Sequence, residues 1–184
     1  MLRKIMIMIL LILTVVWFTN SDSIQSAREF IQNNIYVWSE TQEEKLPIYC
    51  VDTQKKQIAL TFDTAWGNED TQKILDILKK YKINVTFFMT GGWVESYPDD
   101  VKAIKAAGHD LGNHSEHHKH MPQLNNSSIC DELNSVTEKV EKLTNTKMCL
   151  FRPPYGDYNN LLIQTATECG YLSIQWDIDS LDWK

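Results

Sequence analysis

The sequence predicts an α/β fold in which parallel strands are backed by helices. Short apolar runs suited to buried strands alternate about five times with segments of helical apolar spacing. Connections of that kind join parallel strands through helical crossovers. Polar residues gather just after the strands, at Asp63, at Asn113-His114 and at Arg152. In parallel barrels the carboxyl ends of the strands carry the active site, so these groups are expected to converge although they are far apart in the chain.

The elements follow in order. Arg3 and Lys4 precede an apolar run from Ile5 to Phe18, interrupted only by Thr14. A basic flank before a short apolar core is the layout of a signal sequence. A comfortable membrane span needs roughly 17–25 residues, so residues 1–19 read as either a cleaved signal or an uncleaved anchor. Ser21 and Ser23 are the best small-residue cleavage candidates. The basic flank places the rest of the chain outside the cytoplasm. Residues 20–56 read as a polar stalk, with helix around Ser26–Trp38, and the main domain as residues 57–184.

Within that domain, Ile58 to Phe62 is an apolar run suited to a buried strand. Thr71 to Tyr81 carries Ile74, Leu75, Ile77 and Leu78 at helical spacing. Asn84 to Met89 is strand-like, Pro98 to Ala107 is a helix stopped by Gly108, and His109 to Gly112 is a third strand. Ser127 to Leu143 is an amphipathic helix with Ile129, Leu133, Val136, Val140 and Leu143 on one face. Cys149 to Phe151 is a strand, Tyr158 to Cys169 a helix stopped by Gly170, and Tyr171 to Trp176 the last strand.

The net charge of -6, with no Lys/Arg stripe, argues against nucleic acid as a partner. None of the four cysteines, Cys50, Cys130, Cys149 and Cys169, forms a Cys-x-x-Cys pair, which disfavours a thiolate zinc site. Their spacing selects none of the three possible disulfide pairings, and buried free thiols are the preferred reading.

His114 and His118 are four residues apart, and two imidazoles at that spacing on one helical turn both reach a single Zn2+. A surface histidine cluster gives the same pattern. His117 and His120 then point to solvent, and His109 is read as structural. Asp63 ends a buried strand, where a carboxylate needs a metal, a cation or hydrogen-bond donors; it suits a general base. Arg152, in Arg152-Pro153-Pro154-Tyr155-Gly156, follows another strand on a loop stiffened by two prolines, from which it clamps Asp63. Loop capping for Asp63 and a surface salt bridge for Arg152 are the plainer alternatives.

Taken together, Thr61-Phe62-Asp63, His114-Ser115-x-x-His118, Arg152-Pro153-Pro154-Tyr155-Gly156 and Asp179-x-x-Asp182-Trp183 occur in an order that resembles the polysaccharide deacetylases with a NodB-homology domain, carbohydrate esterase family 4. Gly91-Gly92-Trp93 and the run from Gly108 to Asn113 share the likeness, which extends from about Gln57 to Lys184. The resemblance implies an irregular parallel (β/α) barrel preceded by an N-terminal hydrophobic helix. Its last strands are expected to be missing, since a closed eight-stranded barrel takes ~250 residues. The strand around Leu172–Trp176 is then expected to be an open hydrophobic edge.

The resemblance also implies a function. A divalent metal, usually zinc with cobalt as an alternative, is held by His114 and His118 and polarises an acetamide carbonyl. Asp63 is the catalytic base, Arg152 orients it, and Asp179 supports the arginine. The Tyr155 N–H holds the oxyanion, and Trp183 walls the substrate site. The substrate is an N-acetylated glycan, peptidoglycan or a chitin-like chain. Two departures bear on activity. Thr64 stands where the family has a second aspartate, its third metal ligand, with Glu69 or Asp70 as candidate replacements. The family's late-strand histidine, the general acid, has no counterpart before Lys184. A truncated, catalytically impaired remnant that at most binds glycan or metal is the alternative.

Overall fold

The computed structural model describes residues 44–182. The expected signal or anchor segment, the helix around Ser26–Trp38 and Trp183 lie outside the described residues. Among the described residues, no helix is long and apolar enough to cross a membrane.

Five parallel strands form one sheet: β1 (Thr61–Thr64), β2 (Thr86–Met89), β3 (Asp110–Asn113), β4 (Leu150–Phe151) and β5 (Leu172–Ser173). Their spatial order is their sequence order. Each crossover therefore steps one strand onward in the same direction, which winds the sheet as an arc of a barrel. β1 begins later than the apolar run at Ile58 suggests. Its pairing with β2 starts at Thr61 opposite Thr86. Ile58 and Leu60, ahead of that pairing, are 86% and 44% exposed.

The crossovers carry α1 (Thr71–Tyr81), α2 (Gly91–Ser96), α3 (Pro98–Ala106), α4 (Asn126–Thr144) and α5 (Asn160–Glu168). α1 coincides with its apolar spacing and ends where Lys82 adopts a left-handed conformation. It buries Leu75 and Leu78, while Ile77 faces solvent. α2 has no periodic signature in the sequence; the Thr90 hydroxyl starts it by accepting from Trp93 N. Asn125 and Asn159 cap α4 and α5 in the same way.

The core lies between the sheet and the helices, with Phe87, Met89, Leu111, Ile104 and Val136 in one cluster and Ile129, Leu133, Phe151 and Leu162 in a second. Side chains of this size contribute about 1.5–3 kcal/mol each when buried. Phe88 alternates to the opposite face from Phe87 and is also fully buried. It packs so closely on Gly112 that a Cβ there would lie 2.5 Å from the phenyl ring.

Two features differ from the sequence expectation. Residues from Glu44 onward belong to one packed unit. Its first residues reach the last strand: Ile48 N donates to Ser173 O and Gln175 N donates to Ile48 O, both at 2.8 Å. The edge beyond β5 is therefore paired at Ile48 rather than fully open. A disulfide joins Cys130 on α4 to Cys169 at the end of α5, and Cys50 and Cys149 are exposed free thiols. This corrects the reading of four buried free thiols: packing of α4 on α5 brings together two positions that are far apart in sequence.

Candidate active site

Asp63, near the end of β1, is 36% exposed, with its Oδ1 accepting from Arg152 Nη1 at 2.6 Å. Arg152 follows β4 and is buried, its guanidinium lying 4.1 Å from the Phe88 ring centroid. Stacking and ion pairing together hold the guanidinium plane. Oδ2 of Asp63 is left facing His114, 3.8 Å from its Nε2.

His114 follows β3 and is buried. Its Nδ1 donates to the Arg152 carbonyl at 2.8 Å, which turns Nε2 toward Asp63. The His118 ring is edge-on to it, with centroids 4.9 Å apart. The two imidazoles meet as expected, but not through a helix. Ser115 and His118 both have positive φ, 67° and 53°. The chain there is a tight loop, shaped by Ser115 N donating to Asn113 Oδ1 and His118 N donating to Ser115 Oγ. A loop with two left-handed residues and a helical turn both bring residues i and i+4 together.

Burial is the largest influence on both imidazoles and lowers their pKa values. Asp63 partly opposes this for His114. His118 falls to about 4, with the neighbouring His114 adding to the decrease. Both rings are thus neutral at neutral pH, the form that donates a lone pair to a metal. His118 Nδ1 is buried and has no hydrogen-bond partner in the protein, which fits a cradle for a divalent cation. Among the described residues no three His, Cys, Asp or Glu side chains converge as one metal-holding group; the protein offers two imidazoles, with Asp63 turned to Arg152.

The other expected residues divide. Tyr155 sits in a left-handed conformation (φ 62°) after β4, its ring 4.5 Å from that of His118. Asp179 does not support Arg152. It is exposed and accepts from Leu181 N, while Arg152 Nη2 reaches the Gln175 carbonyl at 3.5 Å. The Thr64 hydroxyl donates to Phe88 O at 3.3 Å. Neither candidate replacement for it turns inward, because each is satisfied locally: Glu69 accepts from Asn68 N, and Asp70 pairs with Lys73 at 2.8 Å. His109 is buried against Phe87, as expected of a structural residue. His117 and His120 are largely exposed.

Asn113 was marked beside His114 as a strand-end polar residue, whereas Glu132 and Glu116 were not singled out from the sequence. Asn113 is fully buried and ties β3 to α4 by donating to Leu133 O at 2.7 Å. Glu132, buried on α4, accepts from His117 N, His117 Nδ1 and Lys119 Nζ. Glu116 is packed against Gly91, where a Cβ would overlap its carboxylate, and pairs with Lys139. The loop bearing His114 and His118 is therefore gripped from both sides by α4 and by the start of α2. For Glu132 the available signal was a carboxylate within an otherwise amphipathic helix, and that pattern equally describes a solvent-facing residue.

Residues 51–174 match the family model for polysaccharide deacetylases. The chain is 39% identical to a peptidoglycan-N-acetylmuramic acid deacetylase of Bacillus subtilis over 137 residues, 74% of this chain and 52% of that protein. A family 4 carbohydrate esterase from Bacillus anthracis superposes with a TM-score of 0.72 at 38% identity, covering 75% of this chain and 67% of the other. A pseudoenzyme of carbohydrate esterase family 4 from Bacillus anthracis superposes equally well, TM-score 0.72 at 37% identity, over 75% of this chain and 49% of its own. The chain spans about half the length of the curated relatives it matches.

Proposed function

Because the chain belongs to the polysaccharide deacetylase family, we propose that it removes N-acetyl groups from a peptidoglycan-type glycan by metal-assisted hydrolysis. The observation that carries this is the convergence of Asp63, His114, His118, Arg152 and Tyr155 at the carboxyl ends of β1, β3 and β4. His114 and His118, as neutral imidazoles, would hold the cation. Zn2+, or Co2+ in its place, supplies Lewis acidity toward the acetamide carbonyl when bound. Arg152 fixes one oxygen of Asp63 and leaves the other free to take a proton from the attacking water. The Tyr155 N–H, presented by a left-handed residue, donates to the developing oxyanion. The C–N bond then breaks as the proton taken up by Asp63 passes to the leaving nitrogen, giving a free amino sugar and acetate.

The reaction is placed outside the cytoplasm. The basic flank and apolar run of residues 1–19 support an exported or membrane-anchored chain. The Cys130–Cys169 bridge supports an oxidising compartment.

Acetate release from N-acetylglucosamine oligomers, with Zn2+ or Co2+ added, tests the proposal. Asp63→Asn is expected to lower the rate by about 100-fold or more, and an unchanged rate would contradict the assignment of the base. Thr64, with its hydroxyl turned to the Phe88 carbonyl, favours a second reading, glycan binding with weak or no turnover. Glycan binding without acetate release would select it.

A further inference from the structure

Trp66 is 79% exposed, although the loop that bears it is firmly anchored. Gly67 O accepts from the indole Nε1 of buried Trp93 at 2.6 Å, Asn68 Nδ2 donates to Asp100 at 2.7 Å, and Thr71 N donates to Asn68 O. The ring adds little to the buried core, and what sets it apart from other exposed apolar side chains is its fixed position against an imidazole of the candidate site. The ring stands over the candidate site, three residues beyond Asp63, with its centroid 5.1 Å from that of His118. From the β4 side, the exposed Tyr155 ring approaches the same imidazole at 4.5 Å. Tyr155 is backed by a stacked His120, which Asp157 holds at 3.2 Å.

We propose that Trp66 is a sugar-stacking platform that seats a pyranose ring of an N-acetylated glycan beside the reacting acetamide, with the exposed Tyr155 ring forming the other side of the seat. This deepens the glycan reading given above and rests on it. A pyranose offers C–H bonds on its flat faces and hydroxyls around its rim. The aromatic faces accept the first, and His120 and Asp157 are at hand for the second. An aliphatic chain laid on the same surface would desolvate those polar groups without offering them a hydrogen bond. Two planar side chains also immobilise at little entropic cost, which suits them to a binding surface.

The test uses the full chain labelled with 15N in the presence of Zn2+. It is titrated with an N-acetylglucosamine pentamer and, separately, with a tetrasaccharide of alternating N-acetylglucosamine and N-acetylmuramic acid. The indole N–H signal missing from Trp66→Ala identifies Trp66. That signal is expected to shift with at least one sugar. Trp66→Ala is expected to bind that sugar about tenfold more weakly or worse, and Trp66→Phe to lose less. Equal affinity of Trp66→Ala and the parent chain would overturn the proposal, as would a Trp66 signal that neither sugar moves. Acetate release in the same samples separates the two readings. Binding through Trp66 without acetate supports the platform and removes the deacetylase assignment; acetate with no part played by Trp66 does the reverse.

Discussion

At Thr64 a hydroxyl stands where the family resemblance implies an aspartate ligand, and that hydroxyl is spent on the Phe88 carbonyl. A neutral donor of this kind is a weak partner for a hard divalent cation beside a carboxylate. Thr64→Asp is expected to tighten Zn2+ binding by at least about tenfold, or about 1.4 kcal/mol, as read by calorimetric titration of the metal-free chain. Unchanged affinity would show that position 64 does not face the cation. Residue identity explains what was legible at this scale. Asp63 and Arg152 each follow a strand, and strand ends of a parallel sheet share one rim, so their meeting could be anticipated. Asp179 lies in irregular chain beyond β5, where no periodic signal fixes direction, and its carboxylate turned out to serve its own turn.

Among the elements, the loop from His114 to His118 depends most on its neighbours. Two non-glycine residues with positive φ persist only where surrounding contacts fix them. Glu132 on α4 supplies two of those contacts, both to His117, and pairs with Lys119 just beyond the loop. Burial alone raises its carboxyl pKa, but hydrogen bonds from Lys119 and His117 outweigh that and hold it below its ordinary value of 4.5. Stability from this group is therefore full above 4.5 and is lost as pH falls through the lower folded value. Glu132→Gln is expected to cost about 1–3 kcal/mol near neutral pH. The gap from the parent chain should close in acid, where both carry a neutral side chain. Urea melts across the acid range measure this, and a gap independent of pH would contradict the role of the charge. α1 was legible because its apolar residues repeat over eleven positions. α2 was not, since six residues opening on two glycines carry no period, and the burial of Glu132 follows from a loop packed on it from elsewhere in the chain.

On the scale of the whole molecule, the strand order β1-β2-β3-β4-β5 follows from the simplest right-handed winding of strand and helix in alternation, so the α/β class was readable from the sequence. The contacts that close its far side were not. Ile48 joins the edge of β5 through two backbone hydrogen bonds, and backbone pairing leaves little mark on side-chain pattern. The Cys130–Cys169 bridge spans a sequence separation of 39, for which loop closure predicts about 3–4 kcal/mol of stabilisation. Reduction is expected to lower the melting temperature by roughly 10 °C, as followed by circular dichroism with and without reductant; an unchanged melt would contradict that contribution. Whether these elements act together as a hydrolytic site for N-acetyl groups is read by mass spectrometry of an N-acetylated glycan incubated with the chain and Zn2+. Sugars that have each lost an acetyl group are expected, with the loss suppressed about 100-fold or more by Asp63→Asn. A glycan that keeps every acetyl group, or one that loses them equally with Asp63→Asn, would contradict it.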